Sequence, residues 1–134
     1  MPVQLLKVYC AKPINNTENF PNSYRKLVLF KELFYNGTKI TNKQGNNTVL
    51  LYNGDIIQID SFFKQDNDFL LLGKKCNILE PIYSYPESSH VLNISEINIG
   101  ASDTVREYKV NDILCKGITI PYKSKIIFFP FLHL

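Results

Sequence analysis

The residues able to carry covalent or metal chemistry in this chain are few and far apart. Three cysteines, Cys10, Cys76 and Cys115, and two histidines, one of them His133, are the candidate nucleophiles, bases and soft metal ligands. A thiolate nucleophile needs an imidazole or another cation beside it, and a zinc site needs close pairs such as C-x-x-C or H-x-x-x-H. Neither spacing occurs. Cys76 stands in KKCNIL, where it alternates with apolar residues, and Cys115 stands in ILCKGI; both read as small buried hydrophobes. LGKKC lacks the glycine-led approach of a phosphate loop. The carboxylates Asp55, Asp60, Asp66, Asp68, Glu80 and Glu87 are scattered, mostly at turn positions, whereas a two-metal nuclease needs them to converge. The expectation is a chain that is not an enzyme and uses no cofactor or metal. The catalytic alternative is a small cysteine hydrolase built on Cys115 or Cys76 with a histidine.

Two other sets of residues suit binding. One is basic: Lys64, Lys74, Lys75, Lys116, Lys123 and Lys125. The other is aromatic: Tyr35, Tyr52, Phe62, Phe63, Tyr83, Tyr85 and Tyr122. Rings at loop ends can box an alkylammonium group or stack on a nucleobase, and lysines can follow a phosphate backbone. The plainer account of both sets is core packing and a solvated surface. The expected contact surface combines Tyr52 and Phe62 with Tyr83 and Tyr85 of YSYPESSH, and adds Lys74, Lys123 and Lys125. Tyr83 and Tyr85 share a face if that segment is extended.

These residues must be positioned by one domain, because 134 residues with 45% apolar and 20% charged side chains form a single ordinary core. The net charge of +3 is mildly basic, short of a dedicated nucleic-acid binder. An odd number of separated cysteines suggests reduced thiols, and MPVQLLKVYC has no apolar signal core. A nuclear or cytoplasmic setting is therefore expected. Four Asn-x-Ser/Thr triplets, beginning at Asn15, Asn36, Asn46 and Asn93, support the contrary reading of a secreted glycodomain. Chance in an Asn-rich chain accounts for part of that count.

Residues 1–23, with Pro13 and Pro21, read as an irregular arm, and residues 24–134 as a single β domain. Asn36-Gly37 and Asn53-Gly54 are hairpin corners of the two-residue, positive-φ type. They pair Leu27–Tyr35 with Thr38–Thr41, and Thr48–Tyr52 with Asp55–Phe63. In DIIQID the alternation of Ile57 and Ile59 with Gln58 and Asp60 is that of a half-buried strand. FLLLGKKCNILEPIY reads as one long strand bent at Gly73. SYPESSH is a loop, VLNISEINI a short strand, and TVREYKVNDIL a strand broken near Asn111-Asp112. GITIPY and KIIFFPFLHL close the chain. The apolar tail Ile126–Leu134 is too short for a membrane helix, which needs about 20 residues, and Pro130 should sit at a strand edge or end. Short strands with turns at 8–12-residue intervals predict an all-β fold, a small barrel or a compact antiparallel sandwich.

The words YSYPESSH…L and C-x-x-I-x-I-P-Y-K-x-K…P-F-L-H resemble the C-terminal region of transposon-encoded proteins of invertebrate genomes. The matching residues are Tyr83, Tyr85, Pro86, Ser88, Ser89, Leu92, Pro121, Tyr122, Lys123, Lys125, Pro130, Leu132 and His133. More loosely, GDIIQIDS followed by FLLLGKKCNILE resembles the opening of bromo-adjacent homology domains, β-rich modules of chromatin proteins with an SH3-like barrel. The arginine-bearing segment usual in that family is not visible. These resemblances imply a non-catalytic interaction module that binds chromatin protein, DNA or a partner subunit, and no membrane. The second reading is an OB-like single-stranded nucleic-acid binder.

Overall fold

The computed structural model describes residues 8–14, 27–35, 37–81, 93–98 and 104–131, and among them the chain is all-β. Eleven strands run in order: β1 (Val8–Pro13), β2 (Phe30–Tyr35), β3 (Thr38–Thr41), β4 (Thr48–Leu51), β5 (Ile56–Gln65), β6 (Asp68–Lys75), β7 (Asn77–Pro81), β8 (Ser95–Asn98), β9 (Arg106–Lys109), β10 (Ile113–Tyr122) and β11 (Lys125–Pro130). A short 3-10 turn, Val110–Asp112, separates β9 from β10. All pairings are antiparallel, in the path β1-β2-β5-β4-β10-β11-β8-β7, with β3 on β2, and β6 between β5 and β9. Among the described residues the sheet does not close into a barrel. Of the two expected architectures, the compact sandwich is the one that fits.

Both Asn-Gly corners turn the chain, but the second is not the two-residue kind expected. Tyr35 pairs with Thr38, which leaves a two-residue loop with Gly37 at φ +79°. At the second corner Gly54 alone takes positive φ, +93°. The Gly54 N–H donates to the Leu51 carbonyl at 3.0 Å, and the Leu51 N–H donates to the Asp55 carbonyl at 2.8 Å. That is a three-residue loop, a type I turn with a glycine bulge. Asn53 is instead used through its side chain, which accepts from the Asp55 N–H at 2.9 Å. A third corner, Lys123-Ser124, carries no glycine, yet both residues have positive φ, 47° and 66°, and Tyr122 pairs with Lys125.

Packing covers both faces of the central strands. Val49 and Leu51 of β4 join Ile57, Ile59 and Phe62 of β5, Leu33, Ile40, Leu71, Val110 and Ile113 in one cluster. Leu50 and Ile56 point the other way, into a second cluster with Cys76, Ile97, Cys115 and Phe128. A third holds Leu29, Phe63 and Leu72. Strict alternation would send Phe62 away from Ile57 and Ile59. The register slips between Ile59 and Ser61, so Asp60 is an extra residue against β6, and the bulge reverses the parity. Gly73 lies opposite Ile59 at that slip. A Cβ there would stand 2.5 Å from the Gln58 carbonyl oxygen and 2.7 Å from Ile57 Cγ2, so only glycine fits. Leu114 does for β10 what Asp60 does for β5, since Ile113 faces Leu51 and Cys115 faces Leu50.

Three expectations are refined. The arm over 1–23 contributes an ordered strand, since Val8–Pro13 pairs with β2 along its length. The single long strand expected after Phe69 is two, divided at Cys76, whose N–H donates to the Ile56 carbonyl at 2.8 Å. The apolar tail is a strand that ends at Pro130, with Phe128 fully buried and Ile127 nearly so. Its last residues, including His133, lie outside the described residues.

Candidate nucleic-acid interface

The hairpin register decides what meets on the outer face of β1–β2–β3. With Tyr35 against Thr38, Phe34 falls opposite Lys39 and Glu32 opposite Thr41. On the other side, Tyr9 falls opposite Phe34 and Ala11 opposite Glu32. The inward parity, with Cys10, Leu33 and Ile40, fills the first core cluster. The outward parity therefore carries two rows across three strands, Tyr9–Phe34–Lys39 and Ala11–Glu32–Thr41.

The rows border a groove of about 720 Å³ lined by Lys12, Lys31, Glu32, Lys39, Thr41, Asn42, Lys43, Asn46 and Lys116. Its far wall is the 42–47 loop, which is tied down on several sides. The Asn42 amide donates to the Asp60 carbonyl at 3.0 Å. The Thr119 N–H donates to Gly45 at 3.1 Å, and the Ile59 N–H donates to Asn47 at 2.7 Å. Gly45 makes this turn at φ +90°. Lys116 reaches in from β10, donating to the Lys39 carbonyl at 3.3 Å.

Among the described residues Glu32 is the single carboxylate of the groove, and its side chain is only 9% exposed. It accepts from Lys39 at 3.0 Å and from Lys12 at 3.3 Å. The Lys39 hydrogen bond, helped by Lys12 and opposed by burial, holds the carboxyl below its usual range. Lys12 itself has φ 59°, immediately before Pro13. That conformation is costly for a side chain other than glycine and unfavourable before proline. It breaks the alternation of β1, which would otherwise put Lys12 on the opposite parity from Ala11 and Glu32. Strain of this kind concentrates at functional positions. Five lysines against one glutamate leave +4 in the groove, more than the +3 of the whole chain.

Beside the lysines lies an aromatic platform. The rings of Tyr9 and Phe34 are stacked, with centroids 4.7 Å apart and planes 11° from parallel. Tyr9 is 54% exposed. Because β1 pairs only with β2 among the described residues, the second face of the Tyr9 ring has no cross-strand neighbour.

The surface expected from sequence is not assembled. Phe62 is wholly buried in the first core cluster and is removed from any contact surface, because the Asp60 bulge turns it inward. Tyr52 is exposed at the β4–β5 corner, where its N–H donates to the Asp112 carbonyl at 3.0 Å. Lys74 is half-buried on β6 opposite Gln58, and its charge acts on Asp60, whose carboxyl burial pushes up. Lys123 sits at the β10–β11 tip over the Tyr122 ring, 5.3 Å from its centre. Lys125 pairs with Glu96 at 3.4 Å. Tyr83 and Tyr85 lie outside the described residues. None of these lines the groove; of the basic set read from sequence only Lys116 does. Tyr9, Phe34, Lys12, Lys31, Lys39 and Lys43 were missed, although the Asn36-Gly37 hairpin implied the Phe34–Lys39 and Glu32–Thr41 pairs.

The thiols sit apart from this face. Cys76 and Cys115 pack in the second cluster, and burial raises the Cys115 thiol. Cys10 turns toward the first cluster, and its thiol is pushed up to about 11 by burial, against the pull of Lys64. No helix among the described residues is long and apolar enough to cross a membrane.

No curated protein and no solved structure matches the chain. Residues 11–131, from within β1 to just past β11, match the family described as "Domain of unknown function (DUF8592)", and the chain belongs to that family.

Proposed function

We propose that this domain is a non-catalytic interaction module that holds the phosphate backbone of a nucleic acid in the lysine groove. The observation that carries the reading is the charge distribution. The groove holds +4 in a chain of net +3, so the rest of the chain nets slightly negative and the positive excess is concentrated in the groove. Such focusing raises the local concentration of an anion and orients its approach. Lysine is a point charge suited to phosphate irrespective of sequence, and the pinned 42–47 loop keeps Lys43 and Asn46 in place before the ligand arrives. The resemblance to transposon-encoded proteins supplies a context, a targeting part working in the nucleus beside a separate catalytic domain.

The test is titration of a labelled mixed-sequence oligonucleotide at several salt concentrations, with poly-glutamate as a competitor. Binding whose log affinity falls linearly with log salt, and which poly-glutamate does not match, supports the reading. Absence of binding at low salt, or equal affinity for poly-glutamate, refutes it. The paired variant Lys31→Ala/Lys43→Ala, on exposed side chains, should weaken binding and flatten the slope by about 1.4 for a single strand.

A further inference from the structure

The lysine groove says phosphate; the ring pair beside it says more. We infer that the ligand is single-stranded, with an unpaired base stacked on the open face of Tyr9 while its neighbouring phosphates lie among the lysines. This rests on the functional reading above and names the ligand class of the same site.

Phe34 backs Tyr9 at 4.7 Å and 11°, which fixes the tyrosine ring, and among the described residues the other side of the ring has no cross-strand neighbour, with Tyr9 54% exposed. Along a duplex each internal base already has both faces stacked within the helix, so away from the duplex ends only an unpaired base can use that ring. Lys39 stands directly across β2 from the platform. The Glu32 row is one pleat repeat further along, roughly 7 Å. Ring and cations are thus about a nucleotide apart, the combination that sequence-tolerant single-strand binders use. Size agrees. A groove of about 720 Å³ is in the range of pockets for small ligands. That is room for a stretch of one strand.

The probes are a mixed-sequence single strand and the same sequence as a blunt duplex, both carrying one 2-aminopurine whose emission is quenched on stacking. The wild-type domain should prefer the single strand and quench its 2-aminopurine. Tyr9→Ala should cost about 5- to 160-fold in single-strand affinity, the worth of one stacked base. It should also abolish the quenching change, yet leave the duplex affinity and the salt slope as they were. Tyr9→Phe should restore both signals. Tyr9 is 54% exposed on an edge strand, and an unchanged circular-dichroism melt will certify the fold of each variant. Salt-dependent binding with no preference for the single strand, or a Tyr9→Ala loss equal for both probes, overturns the inference and leaves the phosphate groove standing. Failure of both probes to bind overturns the two together.

Discussion

Glu32 gives the sharpest quantitative expectation. A phosphate entering the groove meets two ammonium groups already engaged, Lys39 at 3.0 Å and Lys12 at 3.3 Å from the same carboxylate oxygen. Among the described residues, Lys31, Lys43 and Lys116 have no carboxylate partner, so the wild-type groove offers three available cations and Glu32→Gln offers five. At about 0.7 counterions released per single-strand contact, the slope of log affinity against log salt should steepen from about −2.1 to about −3.5. Between 50 and 200 mM salt the affinity should then drop by about 20-fold for wild type and about 130-fold for the variant. The variant should also bind more tightly at low salt. Fluorescence anisotropy across a salt series measures both quantities. Lys12 and Lys39 are 65% and 49% exposed, so the substitution strands no buried cation. Acidification does not imitate it easily. The Glu32 carboxyl lies below its ordinary range, so its contribution is present above the unfolded-state value and is lost only as pH falls through the lower folded one. Identical slopes for wild type and Glu32→Gln would refute the idea that this carboxylate competes with the ligand.

Three further outcomes follow from the fold. Replacing Lys123-Ser124 by Asn-Gly relieves two left-handed side-chain residues and should stabilise the domain by about 1–2 kcal/mol; an unchanged thermal midpoint contradicts the assigned turn. Gly73→Ala pushes a Cβ into the Gln58 carbonyl and Ile57 and should cost about 1–3 kcal/mol or more in urea denaturation, whereas a neutral result means the β5–β6 slip is misplaced. Folded Cys10, with its thiol raised to about 11, should resist alkylation at pH 8 and react only as pH approaches that value. Its burial favours folding below the unfolded-state thiol value and loses that advantage as pH rises through the folded one. Rapid labelling of native Cys10 at pH 7 would contradict its burial, and rapid labelling of native Cys76 or Cys115 would revive the cysteine-hydrolase alternative.

Local chemistry made much of the fold readable. Asn36-Gly37 and Gly54 announce their corners, the Ile57/Ile59 alternation announces a buried face, and Pro130 ends the last ladder. Strand β1 was hidden because VYCAKP gains its extended form from pairing with β2 some twenty residues later, a tertiary effect that outweighs weak propensity. The orientation of Phe62 was hidden because a single inserted residue, Asp60, reverses every side chain beyond it. The groove was hidden for a third reason. Its lysines stand at 12, 31, 39, 43 and 116, and only the register of three strands and the Thr119–Gly45 tie bring them together. Runs of adjacent lysine such as Lys74-Lys75 are conspicuous in the sequence but split across a strand.

Strand β5 serves the first apolar cluster through Ile57, Ile59 and Phe62, the second through Ile56 and the third through Phe63. A wall common to three rooms cannot be removed for one of them alone. Loss of order in any cluster therefore propagates to the other two, and the domain should melt as one cooperative unit. Amide protons of β5 should exchange only by global opening. An occupant of the groove, by raising the free energy of that opening, would slow deuterium uptake even on β7, at the opposite end of the molecule's hydrogen-bonded path.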